Sequence, residues 1–79
     1  MITAEVAVYP LKTTNASGTI NNAIHALDNS NVNYSVNSMN THITGSKEEI
    51  FNSLQHMFTE AENSGSEINM VVTITNSAD

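Results

Sequence analysis

Two strands must lie side by side in the middle of this chain. The stretch Tyr34-Ser35-Val36-Asn37-Ser38-Met39-Asn40-Thr41-His42-Ile43-Thr44-Gly45 reads as a β-hairpin, and a helical pattern stands on either side of it. A tight hairpin loop favours residues that tolerate positive φ, and after glycine asparagine tolerates it best. The sequence therefore predicts a two-residue turn at Asn40-Thr41, with Met39 opposite His42, Ser38 opposite Ile43 and Asn37 opposite Thr44. With a side-chain period of two, one face of the hairpin carries Tyr34, Val36 and Ile43. The other carries Ser35, Asn37, Met39, His42 and Thr44, a polar set with one flexible apolar side chain.

The segments before and after the hairpin complete the plan. From Thr3 to Tyr9 apolar residues alternate, with Ala4, Val6 and Val8 on one side and Thr3, Glu5, Ala7 and Tyr9 on the other, which predicts a strand with one buried face. Pro10 has no N–H for a ladder and is expected to end regular pairing, leaving residues 11–18 as a loop. Ile20, Ala23, Ile24 and Leu27 recur at helical spacing and predict an amphipathic helix from about Gly18 to Asp28, capped by Ser17 or Thr19. The first hairpin strand is expected to start near Val32.

After Gly45, Ser46 with Glu49 three residues on makes a capping box, and the Glu48-Glu49 pair suits the positive end of a helix dipole. Ile50, Phe51, Leu54, Met57, Phe58 and Ala61 then predict a wide apolar stripe on a helix ending near Asn63, with Gly65 just beyond its end. A last strand is expected from about Glu67 to Thr75, with Ile68, Met70, Val72 and Ile74 on one face, followed by a frayed tail over residues 76–79. Strand, helix, strand, strand, helix, strand is the split βαβ order. It predicts an α+β, ferredoxin-like βαββαβ sandwich, a four-stranded antiparallel sheet with two helices on one face, as a single domain over residues 1–79.

Composition limits what such a domain does. Two lysines, no arginine, eight acidic residues and a net charge of −6 leave no basic surface for phosphate backbones, so nucleic acid is not an expected partner. The chain has no cysteine, and 79 residues stand near the lower end of what one core holds together, which makes self-association an expected source of stability. The start, Met1-Ile2-Thr3-Ala4-Glu5, carries no basic and apolar leader, and no segment approaches membrane-spanning length. A cytoplasmic location without membrane contact is the expectation.

If both helices cover one sheet face, the other has none left to cover it. That open face is expected to hold Thr3, Glu5, Ala7, Tyr9, Ser35, Asn37, Met39, His42, Thr44, Val71, Thr73 and Thr75. Such faces are often simply wet. Here a carboxylate, an amide, hydroxyls and an imidazole mix with Ala7, Met39 and Val71, the blend expected of a small-molecule site or a subunit interface. Glu5 is either an acceptor for a cationic or amine-bearing ligand or an exposed strand carboxylate. His42 is a ligand contact rather than a metal ligand, since no second histidine stands at metal-binding spacing. His25 and His56 are assigned no chemistry, and Met57 and Phe58 are assigned to the core stripe. Catalysis finds no support: the chain has no cysteine nucleophile, no glycine-rich phosphate loop, no HExxH pattern, and no arginine of the kind with which acylphosphatases, of the same element order, hold phosphate.

The opening Ala4-Glu5-Val6-Ala7-Val8-Tyr9-Pro10-Leu11, the hairpin core Ser38-Met39-Asn40-Thr41-x-Ile43-x-Gly45 and the closing Val72-Thr73-Ile74 resemble the small thiamine-binding protein family, the YkoF-like group. The resemblance spans nearly the whole chain. It implies a ferredoxin-like subunit that assembles into homodimers or homotetramers through sheet edges and faces. It also implies binding of thiamine or its hydroxymethylpyrimidine part without catalysis and with no other cofactor. The residues expected to contact the ligand are Glu5, Asn37, Met39, Thr41, His42, Thr44 and Thr73. Three positions depart from the family pattern: Asn40 replaces the turn glycine, Thr44 replaces a glutamate, and no basic residue follows Ile74. The other reading is a structural or regulatory homo-oligomeric module without a ligand.

Overall fold

The computed structural model describes residues 1–63, 65 and 67–77, excepting the Asn29 side chain. Its elements are β1 (Ile2–Leu11), α1 (Ala16–His25) continued by a 3-10 turn (Ala26–Asn29), β2 (Asn33–Val36), β3 (Thr41–Gly45), α2 (Lys47–Glu62) and β4 (Glu67–Thr75). All pairings are antiparallel and the strand order is β2-β3-β1-β4. This is the ferredoxin-like α+β arrangement. Residues 78 and 79, the end of the expected tail, lie outside the described residues.

The alternating pattern of the strands is what places the core. Ala4 and Val6 of β1 and Ile43 of β3 are buried, as are Ala23 of α1, Ala26 and Leu27 of the 3-10 turn, and Ile50, Met57 and Ala61 of α2. Val32 closes one end, and Val8, Leu54, Ile68, Met70 and Val72 pack around this group. Ala4 pairs with Ile43 on one side and Ile74 on the other, so the even-numbered residues of β1 face the helices. The odd-numbered ones face away.

The hairpin turn differs from the expected one. Tyr34 pairs with Ile43, Ser35 with His42 and Val36 with Thr41, so the loop is Ser38-Met39, closed by Asn37 and Asn40 rather than centred on Asn40-Thr41. Asn37 N–H donates to the Asn40 carbonyl at 3.0 Å. Asn37 Oδ1 also accepts from the N–H groups of Met39 at 2.7 Å and Asn40 at 2.9 Å. The asparagine side chain thus mimics a further backbone turn, an Asx motif that needs no positive φ. Among the described residues only Lys12 and Gly65 have positive φ. Because Thr44 now pairs with Asn33 instead of Asn37, an even shift of four places, the faces of the hairpin are unchanged.

Helix ends show where local chemistry wins. α1 begins at Ala16, two residues before the expected start, because Asn15 caps it: its Oδ1 accepts from Gly18 N–H at 3.2 Å. A Cβ at position 18 would lie 2.4 Å from Asn15 Nδ2, so the glycine makes room for the cap. β1 runs through Pro10 to Leu11, beyond the expected end at Tyr9. Past Val6 it pairs with β4 alone, and a proline is tolerated on a strand that has become an edge. Gly65 takes φ +84° after α2, and its N–H donates to the Glu62 carbonyl at 3.0 Å.

The capping box at α2 forms as expected: Glu49 N–H donates to Ser46 Oγ at 3.2 Å, and Ser46 N–H donates to Glu49 Oε1 at 3.0 Å. That backbone hydrogen bond holds the Glu49 carboxyl below the usual glutamate range. Ser46→Ala is expected to cost about 1 kcal/mol in denaturant unfolding. A carboxyl lowered in the folded state contributes stability above its unfolded pKa and loses it as pH falls through the folded one. The stability difference between native protein and Glu49→Gln should therefore shrink on acidification below the usual glutamate range.

Within α2, Ser53 is 3 % exposed, and its hydroxyl has no hydrogen-bond partner among the described residues. Burial strips water from the hydroxyl without replacing it, so Ser53→Ala is expected to raise stability by about 1 kcal/mol in urea unfolding.

Candidate functional site

The sheet face turned away from the helices gathers its polar groups in rows set by the strand register. Glu5 lies between His42 on β3 and Thr73 on β4, and Ser35 on β2 extends the row beyond His42. The next row holds Asn33, Thr44, Thr3 and Thr75. Thr3 and Thr44 are joined by their hydroxyls at 3.4 Å. On the other side of Glu5, Ala7 pairs with Val71 and Tyr9 with Asn69.

Glu5 is the centre of this arrangement. Its Oε2 accepts from Asn40 Nδ2 at 2.9 Å and lies 3.4 Å from His42 Nε2. Asn40 Oδ1 in turn accepts from Asn37 Nδ2 at 3.3 Å, so the hairpin loop is tied to the carboxylate by two side-chain amides. Beside the carboxylate is a hollow of about 220 Å³ lined by Glu5, Ala7, Tyr9, Met39, Asn40, Val71 and Thr73. It has apolar walls from Ala7, Met39 and Val71, with a carboxylate, an amide, a phenol and a hydroxyl along them. No lysine or arginine lines the hollow.

Chemically, the site is an acceptor site with restrained side chains. Glu5 and His42 are about half exposed, so their attraction is screened by water and contributes little to folding. Their exposure leaves them accessible to a ligand. The hollow thus offers an amine or amidine a charge-assisted hydrogen-bond acceptor in Glu5 and apolar walls in Ala7, Met39 and Val71.

The expected contacts divide in two. Glu5 and Thr73 line the hollow, His42 adjoins it through Glu5, and Met39 stands at its rim, 80 % exposed. Thr44 lies in the next row, bonded to Thr3. Asn37 is spent on the turn, both its amide groups being engaged with Met39 and Asn40. Thr41 is placed on the opposite face: it pairs with Val6 and Val36 and is 5 % exposed, among the residues beneath the helices. Asn40, expected only as a turn pivot, is the residue that touches Glu5. The signal for it was present in the pair Asn37 and Asn40, since asparagine at the first turn position accepts from the backbone two and three residues on.

The histidines on the helix side stand in separate pairs. Asp28 Oδ2 lies 3.0 Å from His25 Nδ1, and its Oδ1 accepts from the Tyr34 hydroxyl at 2.7 Å. These bonds, His25 first, hold the Asp28 carboxyl below its usual range, and Asp28 raises the Tyr34 hydroxyl. They fasten the end of the first helical segment to β2. His56 lies 3.7 Å from Glu60 on α2. Of the two residues expected in the core stripe, Met57 is buried, but Phe58 is 38 % exposed and stands outside the core.

Fold and site together define a ferredoxin-like α+β protein with an open, carboxylate-centred sheet face. The sequence profile of the YKOF-related Family matches residues 1–78, and the chain belongs to that family. Among solved structures, hypothetical protein MJ1052 of Methanocaldococcus jannascii is similar at 23 % identity and a TM-score of 0.87, over 99 % of this chain and 81 % of that one. Protein SP2199 of Streptococcus pneumoniae is similar at 19 % identity and a TM-score of 0.89, over 98 % and 87 %. Protein TM0486 of Thermotoga maritima, provisionally assigned to thiamine biosynthesis or salvage, is similar at 20 % identity and a TM-score of 0.83, over 96 % and 83 %. No curated protein sequence matches the chain. No helix among the described residues is long and apolar enough to cross a membrane.

Proposed function

We propose that this protein binds thiamine, or the hydroxymethylpyrimidine part of it, on the open sheet face, without chemical turnover and as an oligomer of this chain in the cytoplasm. The observation that carries the reading is the Glu5 carboxylate, held by Asn40 and His42 beside a hollow with apolar walls. Family membership and the similarity to a protein provisionally assigned to thiamine biosynthesis or salvage support the choice of ligand. Thiamine offers a cationic ring whose charge a carboxylate attracts and an aminopyrimidine whose amine can donate to a carboxylate, an amide oxygen or a threonine hydroxyl. With Thr44 where the family has a glutamate, the hollow has a single carboxylate, Glu5, so one cationic or amine group per site is matched. Calorimetric titration of the native protein with thiamine and separately with hydroxymethylpyrimidine tests this. Heat from either that is strongly reduced in Glu5→Gln is the expected result; no heat from either at millimolar ligand ends the proposal.

A further inference from the structure

We infer that the cleft between α2 and the Ser30-Asn31 loop is a second binding site, for a small hydroxylated amine in its ammonium form. It lies on the helix side of the sheet, away from Glu5, and is independent of the function proposed above.

Glu49, Asn52, Ser53 and His56 follow one another on α2 at three- and four-residue spacing, so they share one face of the helix. With Ser30 and Asn31, which connect the 3-10 turn to β2, they line a cleft of about 250 Å³. Ser53 is the buried member of this lining, and its hydroxyl has no hydrogen-bond partner among the described residues. A serine inside a helix ordinarily relieves that loss by donating to the carbonyl four residues back, and Ser53 does not. Alanine would suit the position better on two counts, as the stronger helix former and with no hydroxyl to strip of water. A hydroxyl that lowers stability on the wall of a cleft is accounted for by a molecule in the cleft that completes its hydrogen bond.

The lining selects the chemistry of that molecule. No lysine, arginine or aliphatic side chain is part of it, which disfavours anions and apolar ligands. Glu49 Oε1 is taken by the Ser46 N–H, a bond that keeps the carboxylate ionised and leaves Oε2 to accept from a ligand. Ser30 Oγ already donates to the Leu27 carbonyl at 2.8 Å, so only its lone pairs remain for a ligand. Beside one fixed negative charge, these acceptors match an ammonium group, which has donors alone. The side-chain amides of Asn31 and Asn52 are bonded to no other described residue and also offer N–H groups, which an ammonium cannot accept and a hydroxyl can. A cleft of about 250 Å³ exceeds the roughly 30 Å³ share of a water several-fold yet is smaller than the sites of drug-sized ligands, so the amine is a small one.

Amide spectra of the nitrogen-15-labelled full chain, titrated at neutral pH with ethanolamine and in parallel with ethylene glycol, test the site. Ethanolamine is expected to shift Asn31, Asn52, Ser53 and His56 along one saturable curve in the millimolar range. Ethylene glycol, with a hydroxyl in place of the ammonium, should bind about tenfold or more weakly. Glu49→Gln retains a side chain able to make the cap bond but loses the charge, and should weaken ethanolamine by about tenfold or more. Ser53→Ala should weaken it by about threefold or more while unfolding at higher urea than the native protein, a combination that loss of fold does not produce. No shift at high millimolar ethanolamine, shifts centred on Glu5 and Asn40 instead, equal binding of the two probes, or indifference to both substitutions overturns the inference.

Discussion

Ile43→Ala is expected to lower the unfolding free energy by about 2–5 kcal/mol, the largest stability loss from any single truncation considered. Ile43 is completely buried at the middle of β3, between Ala4 on β1 and Tyr34 on β2, beneath the helices. Removing its outer carbons forfeits their transfer out of water and leaves a cavity that a sheet fixed on both sides cannot close. A chain of this length has a total stability of only about 4–12 kcal/mol, so the variant stands close to unfolding at room temperature. Urea unfolding measures the loss, with Ser35→Ala as the comparison. Ser35 pairs with His42 on the exposed face, and its truncation should change stability by no more than about 0.5 kcal/mol. Equal losses in the two variants would mean that the assignment of faces is wrong.

Glu5→Gln is the second large effect, and it falls on binding rather than folding. The amide retains the size of the carboxylate and can still accept from Asn40, but it loses the negative charge. A charge-assisted hydrogen bond contributes about 1.5–3 kcal/mol, so affinity for thiamine is expected to fall about 10- to 100-fold. Because Glu5 is half exposed and its bond to His42 is screened, the melting temperature should hardly move. Titration calorimetry paired with thermal unfolding reads both quantities. Unchanged affinity, or a collapse of stability together with affinity, would show that Glu5 is not the acceptor described.

The two experiments probe opposite faces of one sheet, and those faces are legible in the sequence. Period-two alternation in residues 3–9 and 67–75 allows one assignment of sides, and Ser46, Glu49 and Gly65 mark the limits of α2 by their capping chemistry. The hairpin was less determined. Asn37 and Asn40 are both good turn residues, and choosing between them needs the pairing of Val36 with Thr41 and of Tyr34 with Ile43, in a sheet that buries Thr41 and Ile43 of β3 beneath the helices. The choice moved the loop by an even number of places, and for that reason alone the open face kept its membership.

Other differences arise from neighbours that a local pattern does not contain. Thr41 reads as a turn residue until the loop moves, and then the register carries it beneath the helices beside Val6. Pro10 reads as a strand end until β3 proves to stop opposite Val6, which leaves the proline on a one-sided strand. Phe51 and Phe58 read as core because the apolar stripe of α2 is wide. The structure buries one side of that stripe, Ile50, Met57 and Ala61, and leaves both phenylalanines exposed. A helical wheel gives the width of a stripe but not which of its flanks has a neighbour. Asn40 is the corresponding case in the site, since its bond to Glu5 joins residues 35 positions apart.

The most direct test of the carboxylate-centred face is a nitrogen-15 amide titration of the labelled native protein with thiamine. Binding as described shifts the resonances of Glu5, Asn40, His42 and Thr73 together, along a single saturable curve. Shifts confined to Ile20, Ile24 and Thr41 on the helix side, or none at millimolar thiamine, would contradict it.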